Sequence, residues 1–330
     1  MARIFWIDCA RFVAIIMVVF THAHESARVT SEAAKSIFYS IDRIGVPIFF
    51  MLSGGLLLPK AHTIPILQFY KKRLPQFILL LFVYSVFTNT ISGFLRTDNI
   101  LDSFFNALKN YNGFFPASYG SATQMWFMYS IMQLYLIAPF VSRLVVTLKT
   151  QQIILFLGLC IAFTFVNRSI SAMGVEWRFL SRLGGDFTGA YLAYFLTGYL
   201  IIDRDVLSNK IMKSKILSAF AILLPMVVVF FIDKYNGKIV DSLHWYSSSL
   251  FIYISSVGAI ALVKVTCEQK QCAFITMVGS YSFGVYLIHY VFILIFSLLL
   301  RQYDTNWIVS TVLTIFNGFL FESLLYACDV

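Results

Sequence analysis

The sequence predicts an all-α, polytopic membrane helix bundle of about ten transmembrane helices, with both termini in the cytoplasm. Three observations predict it. Of 330 residues, 59% are hydrophobic and 12% charged, against about 25% charged in an ordinary soluble protein. Mean hydropathy is +0.79. Apolar runs recur along the whole length, and the longer ones meet the roughly 20 residues needed to cross a hydrocarbon core about 30 Å thick. Neither an internal repeat nor a linker divides the chain, so residues 1–330 read as a single integral membrane domain.

Reading apolar runs between polar breaks places the spans at 4–23, 44–58, 74–95, 124–146, 152–166, 187–202, 216–232, 246–264, 274–300 and 307–327. The first resembles a secretory signal in having Arg3 before an apolar run, but Asp8 and Arg11 interrupt its core and no small-residue cleavage site ends it. The second, "IGVPIFFMLSGGLLL", follows Asp42 and Arg43, and its Pro47, Ser53, Gly54 and Gly55 permit a kink or a close helix approach. Lys71, Lys72 and Arg73 adjoin the third span, and Lys210, Lys213 and Lys215 adjoin the seventh. Placing these clusters inside by the positive-inside rule puts both termini there too. The second, fifth and sixth runs are short for a span. The ninth holds His289 within "YSFGVYLIHY", and the tenth holds Glu322.

A net charge of +9 and a pI near 9.3 would suggest nucleic acid as a partner in a soluble chain. Here the basic residues sit in short loops, so the expected partners are membrane lipids and not nucleic acid. Cys9, Cys160, Cys267, Cys272 and Cys328 are odd in number and scattered, which excludes a disulfide framework; the Cys267 and Cys272 pair lacks the further ligands of a metal site.

Charged side chains within a span cost about 3 kcal/mol on insertion scales, so those retained need a partner or a wet cavity. In "DCARFVAIIMVVFTHAHE" the eleven-residue step from Arg11 to His22 returns to nearly the same helix direction and rises about 16 Å. Asp8, three residues before Arg11, is placed for an ion pair. Arg11 either snorkels to the inner interface with Asp8 or lines a cavity; His22 either ends the helix at the outer interface or lines the same cavity. His24 and Glu25 read as solvated loop residues, with Glu25 able to orient an imidazole one turn away. His289 and Glu322 are each a structural group or a site residue.

The blocks "WIDCARFVAIIMVVFTH", "RIGVPIFFMLSGGLLL", "FYKKRL", "MWFMYSIMQLYLIAPF", "AYFLTGYLI" and "YSFGVYLIH", in this order and spacing, resemble the acyltransferase-3 family of integral membrane acyltransferases. The resemblance covers nearly the whole chain and is nearest to the stand-alone branch that O-acetylates O-antigen and other bacterial surface polysaccharides or their lipid-linked precursors. It implies a multi-pass protein of the bacterial inner membrane that uses acetyl-CoA as co-substrate, keeps no bound cofactor or metal, and acylates a glycan or undecaprenyl-linked sugar. Arg11 and His22 match the family's helix-1 Arg and His, implying catalytic roles. Lys72 and Arg73, with Lys71 beside them, match the first part of a basic block that implies donor binding. Gln76 stands where relatives often carry a second Arg, and Gly55 where an aromatic is common. Acyl transfer needs a base for the hydroxyl and donors for the oxyanion, which suits His22 and Arg11. Asp8, Glu25, Asp42, Arg43, Trp126 and His289 are supporting candidates. The outer loops carry Trp177 and Arg182 as weaker acceptor contacts. A secondary transporter or flippase for a lipid-linked sugar or small anion is the rival reading, and it would show paired interrupted helices.

Overall fold

The computed structural model describes residues 4–27, 29–109, 122–175, 189–208, 213–301 and 306–315, and these are helical with no strand among them. Among the described residues, eight helices are long and apolar enough to cross a membrane: Phe5–Ser26, Glu32–Ala61, Ile66–Thr97, Ala122–Thr147, Thr150–Ala172, Lys215–Asn236, Leu250–Cys267 and Ala273–Leu300. They take in eight of the ten expected spans. The sixth is a shorter apolar helix, and the tenth is helical over 307–315, the rest of it lying outside the described residues together with Glu322, Trp177, Arg182 and Lys210.

The chain divides into two compact units. The first comprises Met1–Thr21, Val29–Thr63 and Ala138–Ser280. It holds most of α1 (Phe5–Ser26), then α2 (Glu32–Asp42) and α3 (Gly45–Ala61), which are separated only by a tight turn at Arg43 and Ile44. Ser31 starts α2 by accepting a hydrogen bond from the backbone N–H of Ala34 at 3.3 Å. The unit continues through α7 (Thr150–Ile161), a π-helical turn at Ala162–Val166 and α8 (Asn167–Ala172). It ends with α9 (Ala190–Ile202), α10 (Lys215–Asn236) and α11 (Leu250–Cys267), the last two capped by Ser214 and Ser249.

The centre of this unit is the pairing of α3 with α9, and glycines make it possible. A Cβ on Gly54 would collide with the backbone of Phe195, and one on Gly198 with the backbone of Met51. Where bilayer lipid supplies no hydrophobic drive between helices, such close backbone approach provides packing and C–H···O contact. Gly55 belongs to the same seam, since a Cβ there would meet the carbonyl of Gly198 at 2.6 Å. An aromatic side chain in place of Gly55 would not fit this pairing.

The second unit comprises His22–Arg28, Ile64–Ile137 and Tyr281–Val330. It contains α4 (Ile66–Thr97), which packs on α5 (Ile100–Lys109), and a 3₁₀ turn at Ala122–Met125 leading into α6 (Trp126–Thr147), whose residues as far as Ile137 belong to this unit and the rest to the first. It also holds the C-terminal end of α1 and most of α12 (Ala273–Arg301). Leu79, Phe82, Val83 and Phe87 stand exposed on α4. An apolar stripe of this kind suits hydrocarbon and not water.

Candidate functional site

Helix α1 carries the two residues singled out by spacing. Because it is continuous from Phe5 to Ser26, Arg11 and His22 share a face about 16 Å apart along the axis. Arg11 Nη1 donates to Asp8 Oδ1 at 3.2 Å; Asp8 is buried and Arg11 one-third exposed. The ion pair expected from the three-residue step is present. Asp8 also lies where α12 comes closest, since a Cβ on Gly279 would meet the Asp8 carbonyl at 2.5 Å.

The C-terminal end of α1 is not the loop expected beyond residue 23, although Glu25 is exposed as expected. The helix continues to Ser26, and His24 is 1% exposed. The extension follows from Ala23 and from the final turn satisfying itself, with Ser26 Oγ donating to the carbonyl of Ala23 at 2.8 Å. It also puts His22 and Glu25 on adjacent turns, with Nδ1 3.2 Å from Oε2. The carboxylate accepts, so Nδ1 carries the hydrogen and Nε2 of the neutral ring holds the lone pair.

His22 sits against α12. Its ring centroid is 5.4 Å from that of His289 and 5.2 Å from that of Tyr290, the latter edge-on. Below them, Tyr286 donates its hydroxyl to the backbone carbonyl of Gln124 at 2.8 Å. Gln124 in turn donates Nε2 to Thr88 Oγ1 at 3.4 Å, and Asn89 Oδ1 accepts from the backbone N–H of Ala122 at 3.1 Å. Helices α4 and α12 and the 3₁₀ turn before α6 therefore join the C-terminal end of α1 around one polar patch. Of these partners, only His22, Glu25 and His289 carried a sequence signal. Tyr286, Tyr290, Gln124 and Asn89 look like ordinary apolar-span residues until the fold brings them together. Trp126, half-buried, begins α6 one turn from this patch.

Lys71, Lys72 and Arg73 occupy the second turn of α4, all exposed. Neighbouring Tyr70 donates its hydroxyl to the carbonyl of Leu136 at 2.5 Å, which fixes this end of α4 to α6. Gln76, one turn on, is exposed too.

Asp42 and Arg43 lie in the first unit. Arg43 is 8% exposed; its guanidinium donates to Tyr246 Oη at 2.8 Å and lies over the rings of Tyr39, Trp245 and Tyr246 at 4.7, 5.1 and 5.4 Å, with Asp42 Oδ1 3.7 Å away. This cage is closed around the cation, a structural arrangement. Close by, Asp233 accepts from Ser36 Oγ at 2.6 Å, from His244 Nε2 at 2.7 Å and from the backbone N–H of Val240 at 2.9 Å. The order of contacts rules out a nucleophile triad, because serine and histidine both face the carboxylate and not each other. The cluster pins the 237–244 connection onto α2 and α10, beside a cavity of about 300 Å³. Sequence reading missed it: Ser36 is 197 residues from Asp233 along the chain, and His244 lies 11 residues beyond the carboxylate, past the end of α10.

Neither the curated proteins nor the solved structures give a match to this chain. The family model Acyl_transf_3, described as an acyltransferase domain, matches residues 4–326. With nearly all of both compact units and the polar patch at His22 falling within that match, the chain belongs to the Acyl_transf_3 family and is a multi-pass membrane acyltransferase.

Proposed function

We propose that this protein moves an acetyl group from cytoplasmic acetyl-CoA to a hydroxyl of a bacterial surface polysaccharide, O-antigen or its undecaprenyl-linked precursor on the periplasmic side of the inner membrane. One catalytic domain over residues 1–330, with both termini cytoplasmic, is part of this reading. The observation that carries it is the His22–Glu25 pair: an imidazole whose Nδ1 faces a carboxylate and whose Nε2 remains as a base.

In the step, the acceptor oxygen attacks the thioester carbonyl while its proton passes to His22 Nε2. The carbon–sulfur bond breaks, the coenzyme thiolate leaves, and the imidazolium returns the proton to it. Glu25 stabilises the imidazolium as it forms, by a charge-assisted hydrogen bond. Arg11, on the same face of α1 toward its N-terminus, holds the donor's pantetheine, phosphate or carbonyl oxygen through its planar fork of donors, with Asp8 orienting it. Lys71, Lys72 and Arg73 attract the phosphates of acetyl-CoA; their full exposure suits docking of a soluble polyanion. Trp126 and His289 support the acceptor end. Asp42 and Arg43 hold the first unit together.

The test uses purified protein, radiolabelled acetyl-CoA and a candidate glycan. Label enters the glycan with the wild type and falls by about 10²- to 10⁴-fold in His22→Ala, the usual contribution of a positioned general base. Normal acetylation by well-folded His22→Ala overturns the base assignment. Uptake of the glycan into vesicles without incorporation selects a transporter or flippase instead.

A further inference from the structure

His289 presents a buried acceptor that its surroundings do not satisfy. Its Nδ1 lies 2.7 Å from the carbonyl of Tyr286 and 3.2 Å from that of Val285. A carbonyl only accepts, so Nδ1 carries the hydrogen and the neutral ring keeps its lone pair on the distal Nε2. The residue is 0% exposed, and Nε2 has no hydrogen-bond partner among the described residues. Native interiors leave few such atoms, and each asks for an explanation.

A second orphan is joined to it through Tyr286, whose hydroxyl donates to the Gln124 backbone while its own carbonyl holds His289. With Gln124 Nε2 spent on Thr88, the buried Oε1 is left without a donor among the described residues. His22 Nε2 is a third lone pair, on a ring tilted 33° from that of His289 with centroids 5.4 Å apart. The patch thus holds two buried acceptors without a donor among the described residues, beside the lone pair of His22, and a ligand bearing more than one O–H would complete it.

The geometry points to His289 as a specificity-determining residue that accepts a hydrogen bond from a second hydroxyl of the acceptor, adjacent to the one acylated, so that the substrate class is a vicinal polyol and not an isolated alcohol. This rests on His22 as the base. One hydroxyl donates to His22 Nε2 and loses its proton during transfer; its neighbour donates to His289 Nε2 and keeps its proton. With each hydrogen bond reaching about 2.8 Å, two rings with centroids 5.4 Å apart are near enough for hydroxyls on neighbouring carbons of one sugar ring to reach both. An acceptor lacking the second hydroxyl leaves a buried lone pair unpaired, the situation in which binding sites discriminate most sharply.

The experiment measures transfer from labelled acetyl-CoA, by the full chain in proteoliposomes, to methyl hexopyranosides of gluco, manno and galacto configuration, to their monodeoxy analogues and to cyclohexanol. The wild type uses at least one parent glycoside, loses about 100-fold in kcat/KM when the neighbouring hydroxyl is replaced by hydrogen, and leaves cyclohexanol untouched. In His289→Phe the parent falls to the level of the deoxy analogue and the penalty for deoxygenation disappears; His289→Gln, which keeps an acceptor, restores part of it. Equal wild-type rates on parent, deoxy analogue and cyclohexanol overturn the inference while acyl transfer stands, and this comparison needs no variant to fold. An undiminished deoxygenation penalty in folded His289→Phe overturns it as well. Absence of transfer to every acceptor removes the acyl-transfer reading and this inference with it.

Discussion

Nδ1 of His22 stands 3.2 Å from Oε2 of Glu25, one turn further along α1. If that carboxylate steadies the imidazolium formed in transfer, Glu25→Gln keeps a hydrogen-bond acceptor but loses the charge assistance. Charge-assisted bonds exceed neutral ones by about 1.4 kcal/mol, so kcat falls about tenfold with KM for acetyl-CoA unchanged. Steady-state kinetics on the glycan acceptor checks this, and a variant with unaltered kcat removes Glu25 from the mechanism.

The contact of α3 with α9 leaves no room for side chains. Gly198→Leu drives atoms into the backbone of Met51, which cannot yield as a flexible side chain would. Overpacking of this kind costs about 3 kcal/mol. The expected outcome is poor recovery of monodisperse protein and a markedly lowered melting temperature in detergent, whereas Gly158→Leu, facing open space, leaves both near wild type.

Asp233 accepts three hydrogen bonds while 5% exposed. Asp233→Ala strands Ser36, His244 and the Val240 N–H together, and loss of one partner from a buried charged network costs about 3 kcal/mol or more. Thermal unfolding of the solubilised protein should show the loss. A melting point unchanged within about 2 °C would mean that water replaces the carboxylate at little cost.

Arg43→Lys retains the charge in the aromatic cage but not the planar group that stacks on Tyr39, Trp245 and Tyr246 and donates to Tyr246. The substitution costs about 1–2 kcal/mol. Tyr246→Phe, which keeps the ring and removes the hydroxyl, costs less. The ordering of the two melting temperatures is the measurement.

Neutralising Lys72 and Arg73 together raises KM for acetyl-CoA roughly tenfold at low salt, and the difference from wild type narrows as ionic strength rises and screening takes over. Unchanged KM at every salt concentration would leave the cluster a topological signal only.

How much of this was legible in sequence follows from the range of each interaction. Hydropathy located the long spans, and helical periodicity placed Arg11 beside Asp8 and His22 beside Glu25, because those pairs lie within one turn of a single helix. Helices α2 and α5 gave no comparable signal. Each is short and amphipathic, with Glu32 and Lys35 or Asp102 and Lys109 interrupting the apolar pattern. The end of α1 was misread for a similar reason: His24 counts as polar in any hydropathy window although packing buries it. Periodicity says nothing about which turn of α12 meets α1. The approach of His289 to His22, the Tyr286–Gln124 bond and the Asp233 cluster each join residues that only tertiary packing brings together.

The seam at Gly54 and Gly198 also sets an order of events during synthesis. Its two halves leave the ribosome far apart in time, since the segments numbered between them must be made and inserted first. Until Gly198 arrives, α3 waits in the bilayer with its small-residue groove facing lipid or a chaperone. Final zippering of that seam therefore waits for the segment that carries Gly198.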